Sequence, residues 1–511
     1  MATAEEFVAS LSQRGATIWS ENGQVRVRAP KGTLLPAELE AARVLAKEIF
    51  ALLETRNKSG ETTLKPRVSG TAIPLTELQH LFWSNIVKTP GSLSVRDCVT
   101  AAHIYGALNA DVLRQSIEIA VERHETLRTR IMLADGLPIQ HIDSMGDGVF
   151  GLIDTQRASD AEREIEAERL AEAFVGENID VSKDPLFKAL LIRISSTAHV
   201  FVLALHQLIS DGMSNEILNR EIWDSYRSIA RKVPLSLPKL PIQFADYAVW
   251  QNQTRGQWRE LHYKYWIRRM GGAMKTQMRI PGIFVGAPRG RMAIWRNSFA
   301  NELSEKLRDL ARREKTLLAM VVLTVYAVVM FRWCGQNEIL VPFLDNGRHK
   351  HELEHVVGFI TQLFILRISF SPEDNLLDLL RQVKEEFLSA CRNGEILRSF
   401  EDPAALPLTD LHFNWHPPCF DLLSGHGSLA DLGLTVRRWP TPYPVRTALP
   451  SVAFLPYFCD TAGGIDITVV YDDGRITQET LELFRTQLHL VAKDLMRDPP
   501  CRVESALHAD S

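Results

Sequence analysis

The first 55 residues show two different hydrophobic patterns. Two runs in which apolar and polar residues alternate, within residues 16–30, flank Asn22-Gly23, a dipeptide typical of the tight turn of a β-hairpin. Residues 35–54 instead place apolar side chains at helical spacing, as in Leu45, Ile49 and Leu52. A further amphipathic helix is predicted before the hairpin, ending at Gly15. The pattern predicts a small unit that combines a hairpin with helices.

The rest of the chain alternates predicted strands and helices. Residues 56–72 are rich in Lys, Thr, Ser and Gly and are interpreted as a linker. From Ile73 to the C-terminus the alternation favours an α/β fold. The long apolar run Thr316–Phe331 is short for a bilayer span and contains two threonines and a tyrosine, so we expect a buried core helix.

Composition narrows the class of protein. The chain has 511 residues, of which 45% are hydrophobic and 23% charged, and a net charge of −4, as in an ordinary globular protein. This balance favours neither a nucleic-acid nor a membrane partner. The six cysteines form no CxxC pair, and the N-terminus lacks the layout of a signal peptide, so we expect free thiols and a cytoplasmic protein.

The N-terminal unit contains the segments "GATIWSENGQVRVRAPKG" and "LLPAELEAARVLAKEIFALL". These segments carry a resemblance to a β-hairpin docking domain of the tubulysin-synthetase type. It implies that residues 1–55 bind a short linear motif at the C-terminus of an upstream subunit, which would add a strand to the hairpin edge. Arg26, Arg28 and Lys31 would attract an acidic tail; alternatively, these cations only solvate the hairpin.

The remainder of the chain carries a series of motifs. They are "PLTELQHLFW" at 74–83, "RHETLRTRI" at 123–131, "HQLISDG" at 206–212, "QFADYAVWQ" at 243–251 and the long run at 332–367. In these motifs and their order the segment resembles a condensation domain of nonribosomal peptide synthetases, although the RDxSR stretch expected after Cys391 is missing. The resemblance implies two chloramphenicol-acetyltransferase-like lobes, residues 73–245 and 246–511, arranged in a V with a central tunnel.

The segment "HQLISDG" resembles the HHxxxDG signature of this superfamily and implies a set of site residues. His206 corresponds to the first, structural histidine, and Gly212 would lend its backbone N–H to the reaction. Asp211 is expected to anchor the loop through an ion pair with Arg348, and Asn414, in "DLHFNWHPP", corresponds to an asparagine that faces the reaction chamber.

Glutamine occupies the position of the second histidine, the family's usual general base. The amide of Gln207 can donate and accept hydrogen bonds, but it cannot hold a proton at neutral pH. The glutamine could belong to a natural variant enzyme, to a binding scaffold, or to an inactivated protein. One hypothesis is a substitute base: if residues 410–417 form a strand, His412 and His416 lie on the same face as Asn414.

These features together predict a condensation-type acyltransferase that joins a carrier-bound acyl thioester to an amine or hydroxyl acceptor, in a chain-joining or chain-releasing step. No cofactor or metal is expected to bind the chain directly, because the phosphopantetheine arm is supplied by the partner carrier protein. The acceptor is a small molecule or is itself carrier-bound, and we expect a monomer. The alternative is a non-catalytic platform that binds carriers or recruits partners; an epimerase is a third, less favoured interpretation.

Overall fold

The architecture is that of a computed structural model. It describes residues 4, 17–21, 24–28, 45–50, 63–88, 96, 98–144, 148–155, 159–279, 281, 290, 292–371, 373–394, 396, 409, 411–416, 429–438, 454–461, 463–497 and 501–503.

The N-terminal hairpin is present. Strands β1 (Thr17–Glu21) and β2 (Gln24–Arg28) pair antiparallel, and Glu21 faces Gln24, so the connection is the two-residue loop predicted from the sequence. Residues 46–50 are helical, with Ile49 buried. The predicted first helix, residues 5–15, lies outside the described residues, and so does Lys31.

The N-terminal lobe is built on a five-stranded mixed sheet. Its strand order is β14–β4–β9–β8–β7, with β4 at Cys98–Tyr105, β7 at Phe150–Asp154, β8 at Phe187–Ser195, β9 at Ala198–Leu205 and β14 at Thr435–Arg438. Helices α2 (Ala110–Arg123), α3 (Asp160–Val175) and α4 (Gly212–Ala230) pack on it. The central strands β8 and β9 are buried on both faces, which explains their nearly continuous apolar sequences.

A smaller sheet and one helix complete this lobe. Strands β3 (Ile73–Pro74), β5 (Thr129–Ala134) and β6 (Leu137–Ile142) form the sheet in the order β3–β6–β5. Helix α1 (Glu77–Lys88) follows β3 and contacts the turn at residues 207–209.

The C-terminal lobe surrounds an apolar helix. Its four-stranded sheet has the order β10–β16–β15–β13, with β10 at Met292–Ser298, β13 at Asn414–His416, β15 at Phe454–Thr461 and β16 at Gly464–Asp472. A hairpin of β11 (Glu338–Asp345) and β12 (Gln362–Ser369) stands beside it. The helices are α6 (Asn301–Arg313), α7 (Leu318–Cys334), α8 (Leu376–Asn393) and α9 (Gln478–Leu495).

The apolar run at 316–331 forms most of α7, and this helix is buried along nearly its whole length. The prediction of a core helix is therefore confirmed. No single helix in the described ranges has the length and apolarity needed to cross a membrane. Helices α6 and α7 have the required length and apolarity only as a pair, and the pair is bent by 111°.

Two elements connect the lobes. Helix α5 (Phe244–Met270) runs through the predicted boundary at 245/246, and its first two turns are buried. Strand β14 follows much of the C-terminal lobe in sequence, yet it pairs with β4 at the edge of the N-terminal sheet. The lobes are therefore joined by covalent structure and by a shared sheet.

The described end of the predicted linker packs against the domain. Arg67 forms ion pairs with Asp246, at 2.8 Å, and with Glu125, at 3.0 Å. A surface cavity of about 640 Å³ lies beside these three residues. Leu64 is buried in the core of the C-terminal lobe. Residues 63–72 thus fix the chain to the surface of the domain just before β3.

Candidate active site

The signature segment joins strand β9 to helix α4. His206 follows the strand, is fully buried, and accepts a hydrogen bond on Nδ1 from the backbone N–H of Leu208 at 3.1 Å. Its own backbone N–H donates to the carbonyl of Leu186 at 2.8 Å. These contacts shape the short 3-10 turn Gln207–Ile209. They suit the structural role that the resemblance implies for His206.

Asp211 caps the N-terminus of helix α4. Its Oδ1 accepts hydrogen bonds from the backbone N–H of Ser214, at 2.8 Å, and from the Ser214 hydroxyl, at 2.7 Å. A carboxylate at this position satisfies a backbone donor of the first turn and interacts favourably with the helix dipole.

The same carboxylate binds the C-terminal lobe. Nη1 and Nη2 of Arg348 donate to Oδ2 and Oδ1 of Asp211 at 2.9 and 3.0 Å. The backbone N–H groups of Ile360 and Thr361 donate to Oδ2 at 3.0 and 3.2 Å. The ion pair predicted between Asp211 and Arg348 is present, and it is a contact between lobes.

A loop of the C-terminal lobe, residues 346–361, carries these donors. Nη2 of Arg348 also donates to the carbonyl of Val356 at 3.0 Å. The Ser214 hydroxyl accepts from the N–H of Gly358 at 2.9 Å and lies 3.0 Å from its carbonyl. A Cβ at position 358 would lie 2.2 Å from the ring of Phe244, so close packing between the lobes requires glycine here.

The turn that carries Gln207 is also held by α1. Gln79 is fully buried, and its Nε2 donates to the carbonyl of Leu208 at 2.6 Å. Its Oε1 accepts from the backbone N–H of Thr76 at 2.9 Å. Gln79 belongs to the motif at 74–83, which assigned it no role; the structure shows that it fixes the signature turn.

Gln207 and Gly212 are the accessible residues of the segment. Gln207 is half-buried at the start of the turn, and Gly212 is exposed as the first residue of α4. The first backbone N–H groups of a helix have no partner within the helix, so an exposed helix start offers donors to a developing negative charge.

The predicted chamber residue Asn414 lies in strand β13. It is half-buried, and its Nδ2 donates to the carbonyl of Pro456 at 3.2 Å. His412 precedes the strand, which begins at Asn414. Burial lowers the pKa of His412 to about 4, so its imidazole is neutral at pH 7 and a weak base. The His416 side chain lies outside the described residues, and the shared face of the three residues stays a prediction.

The RHETLR motif forms a buried network within the N-terminal lobe. Glu221 of α4 contacts His124 at 2.8 Å and Arg123 at 3.0 Å through the same carboxylate oxygen. These contacts fix the end of α2 to α4, whereas Glu125 of the same motif pairs with Arg67 of the predicted linker.

Glu216 is a residue of this region that sequence reasoning missed. It lies in the second turn of α4, and burial raises its pKa to about 7 despite the attraction of Arg220 and Arg348. Glu216 lies beyond the end of the signature, so the motif did not indicate a carboxylate at this position. Among the residues that the structure describes, no group of three or more His, Cys, Asp and Glu could hold a metal ion.

Comparison with known protein families shows which family this chain belongs to. The condensation domain family matches residues 70–396, which is more than half of the chain. The chain belongs to the condensation-domain family. Residues 4–54 match the TubC N-terminal docking domain.

Among individual proteins, a linear gramicidin synthase of Brevibacillus parabrevis is 31% identical over 342 residues, which cover 66% of this chain and 6% of that synthase. The chain thus spans a small part of the length of such synthetases.

Two solved structures share the fold. The X-domain in its complex with OxyB from teicoplanin biosynthesis superposes with a TM-score of 0.73 at 17% identity, over 88% of this chain and 99% of that one. The first condensation domain of the calcium-dependent antibiotic synthetase superposes with a TM-score of 0.67 at 16% identity, over 85% and 99%. The mixed α/β fold is therefore that of condensation domains, as predicted.

Proposed function

We propose that this chain is a condensation-type acyltransferase of a nonribosomal peptide or hybrid polyketide assembly line. It transfers an acyl group from the phosphopantetheine thioester of a carrier protein to an amine or hydroxyl acceptor, in a step that joins or releases the chain. The observation that carries the proposal is the anchoring of the signature loop by Asp211 and Arg348 between the lobes.

This anchoring suits the chemistry of acyl transfer. Because Asp211 is bound from both lobes, Gly212 and the start of α4 are held in a fixed position. A rigid N–H donor aimed at a developing oxyanion stabilises the transition state more than a mobile one. Holding acyl group and acceptor in line contributes further, by roughly 7–11 kcal/mol in favourable cases.

Gln207 changes only one part of this scheme. Its amide can orient the acceptor's N–H or O–H but cannot take the proton. A positioned base adds about 10²–10⁴-fold to the rate, so transfer without a histidine at 207 is expected to be slower, or to use another base.

The experiment is product formation from a carrier-loaded acyl thioester with a panel of amines and alcohols, followed by mass spectrometry. The protein and its Gln207→His variant are compared, with Arg381→Met, at an exposed arginine of α8, as a control for handling. Product from the unaltered protein supports the proposal. Failure of both proteins to form product, with carrier binding intact, contradicts it.

The docking hairpin suits recruitment to an upstream carrier protein. Strand β1 lies beside the turn at His351–Leu353, which leaves β2 as the outer strand among the described residues. Arg26 lies on β2 and is exposed. An extended acidic segment could add a strand to β2 through backbone hydrogen bonds, with Arg26 drawing it in by charge.

Titration calorimetry with a synthetic acidic peptide tests this docking. Arg26→Glu is expected to weaken binding by about tenfold or more, and salt is expected to weaken it further. Arg114→Glu, at an exposed arginine of α2, is the control. Equal binding by all three proteins would show that the hairpin does not bind through this strand.

A non-catalytic platform is the second candidate. Two observations favour it: Gln207 stands where the family's base is usual, and the fold superposes closely on the X-domain, which was solved in complex with OxyB. The same assay separates the candidates. A platform binds the carrier yet forms no product, with either glutamine or histidine at position 207.

A further inference from the structure

Helix α4, which begins at Gly212 directly after the signature Asp211, carries a carboxylate in its second turn. Glu216 lies four residues after Gly212 on helix α4, so the two residues share a face. Side chains on a helix lean toward its N-terminus, and the side chain of residue 216 therefore covers the turn that begins at residue 212. Gly212 has no side chain to occupy this space.

The charged residues around Glu216 agree with a side chain that leans toward the N-terminus of α4. Its carboxylate interacts with Arg220, one turn further along α4, and with Arg348 from the other lobe. Arg348 also binds Asp211 and Ser214, at the very start of α4. Glu216 therefore lies at the boundary between the lobes, near the anchored end of the signature loop.

The carboxylate is not used to hold the fold together. Among the described residues, no hydrogen bond or ion pair engages Glu216, although Arg348 and Arg220 are near. Nη2 of Arg220 instead faces His355 Nδ1 at 3.4 Å, and Nε of Arg348 is buried without a partner. Glu221, one turn later, shows the contrast, because its carboxylate binds both Arg123 and His124.

We propose that Glu216 is the proton acceptor of the transfer reaction, in place of the histidine that is missing at position 207. This inference rests on the proposed function. The acceptor's nitrogen or oxygen forms a bond to the thioester carbonyl while its proton passes to the Glu216 carboxylate. The carbon–sulfur bond then breaks, and the protonated Glu216 returns the proton to the departing phosphopantetheine thiolate. An amide or ester and a free thiol result.

The titration of Glu216 agrees with this role. Burial raises its pKa to about 7, which leaves a large ionised fraction at neutral pH and a carboxylate basic enough to hold a proton in transit. The charged or titratable groups that face it are Arg220 on its own helix and Arg348 from the loop of the C-terminal lobe, with His355 behind Arg220.

Steady-state kinetics of Glu216→Gln test the inference, with Glu260→Gln as the matched control. Glu260 is also a helical carboxylate, but it is exposed on α5. We expect Glu216→Gln to lower kcat at pH 7 by about 100-fold or more, with KM for the loaded carrier unchanged within about threefold. Glu216→Asp is expected to keep part of the activity, and the control all of it.

Two further measurements distinguish a base from a structural residue. With an alcohol acceptor that does not titrate, the rate of the unaltered protein should rise with pH through about 7, and this inflection should vanish in Glu216→Gln. Adding Gln207→His to Glu216→Gln should restore at least about tenfold of the lost rate, because a histidine base replaces the carboxylate.

Three results would overturn the inference. If Glu216→Gln stays within about threefold of the unaltered rate and keeps the pH profile, Glu216 is not the base, while the proposed function stands. A rise in KM confined to cationic acceptors would assign the carboxylate to acceptor binding instead. If no variant, including Gln207→His, forms product although all bind the carrier, the proposed function itself fails and the inference falls with it.

Discussion

Arg348 lies opposite Asp211 so that each of its Nη atoms binds one carboxylate oxygen, at 2.9 and 3.0 Å. Both side chains are almost completely buried, with 4% and 3% exposed. The pair is the planar, bidentate arrangement that only arginine can make with a carboxylate. Because the two residues are 137 positions apart and belong to different lobes, the pair sets the spacing of the lobes at the signature loop.

Removing the arginine should strongly destabilise this contact. Arg348→Met leaves the charge of Asp211 buried without its partner, which typically costs about 3–5 kcal/mol of unfolding free energy. Arg348→Lys keeps the charge but loses the bidentate geometry, so its unfolding free energy should fall by less than that of Arg348→Met. Urea unfolding measures both, with Arg381→Met as control because Arg381 is exposed beside Asp378. Equal midpoints for Arg348→Met and the control would contradict the prediction.

Strand β14, which joins the N-terminal sheet from the C-terminal lobe, depends on a close contact between Gly106 and Gly433. Gly106 follows β4 at a φ of +122°, and a Cβ there would lie 2.3 Å from the carbonyl oxygen of Gly433, just before β14. Gly106→Ala should therefore lower the unfolding free energy by more than about 2 kcal/mol.

Gly136 provides the matched control for this substitution. It has a φ of +79° and no atom within 4 Å of the missing Cβ, so Gly136→Ala carries only the backbone strain, of about 1 kcal/mol. Equal losses for the two variants in thermal or urea unfolding would show that the contact with Gly433 does not constrain the crossing strand.

Several features were predictable because local sequence determines them. Asn22-Gly23 between alternating runs favours a two-residue hairpin whichever fold surrounds it, and the strongly apolar run of α7 favours a position in a core. The ion pair of Asp211 and Arg348 followed from the resemblance, since the motif that contains each residue is present.

Other features depend on contacts between distant segments, and the sequence does not display them. Strand β14 has only four residues, and its partner β4 lies more than 300 positions earlier. Helix α5 crosses the predicted lobe boundary because its buried first turns pack against both lobes. Glu216 lies four residues beyond the signature, where the motif makes no prediction, and only its burial beside Arg348 singles it out.

Gln79 should affect the rate as well as stability. Gln79→Leu leaves the carbonyl of Leu208 and the N–H of Thr76 without their partners, which costs about 1–3 kcal/mol for each buried group that water cannot reach. The turn that holds Gln207 also loses its support from α1, so kcat/KM for acyl transfer should fall beyond what unfolding explains.

A second buried glutamine separates the two effects. Gln251 accepts from the N–H of Glu77 at 2.9 Å, at the start of the same helix, and its Nε2 donates to the hydroxyl of Tyr247 on α5 at 3.2 Å. Gln251→Leu should therefore cost stability while the rate of the folded protein stays close to normal. Identical rate losses in the two variants would assign the effect to general loosening.

The ionisation of Glu216 should leave a signature in stability that does not depend on any substrate. In the folded protein its pKa is about 7, against about 4.5 when the chain is unfolded, so between these values the folded state binds more protons. The unfolding free energy must then fall as pH rises from about 4.5 to about 7 and level off above. Glu216→Gln removes this dependence, so the unfolding free energy of the variant should match that of the unaltered protein at low pH and exceed it above pH 7 by about 1–3 kcal/mol.

Urea unfolding across this pH range, with Glu260→Gln as control, measures the difference. Parallel curves for all three proteins would mean that Glu216 ionises as freely as a surface carboxylate, whereas a gain in stability joined to a loss of rate is the behaviour of a group kept for catalysis.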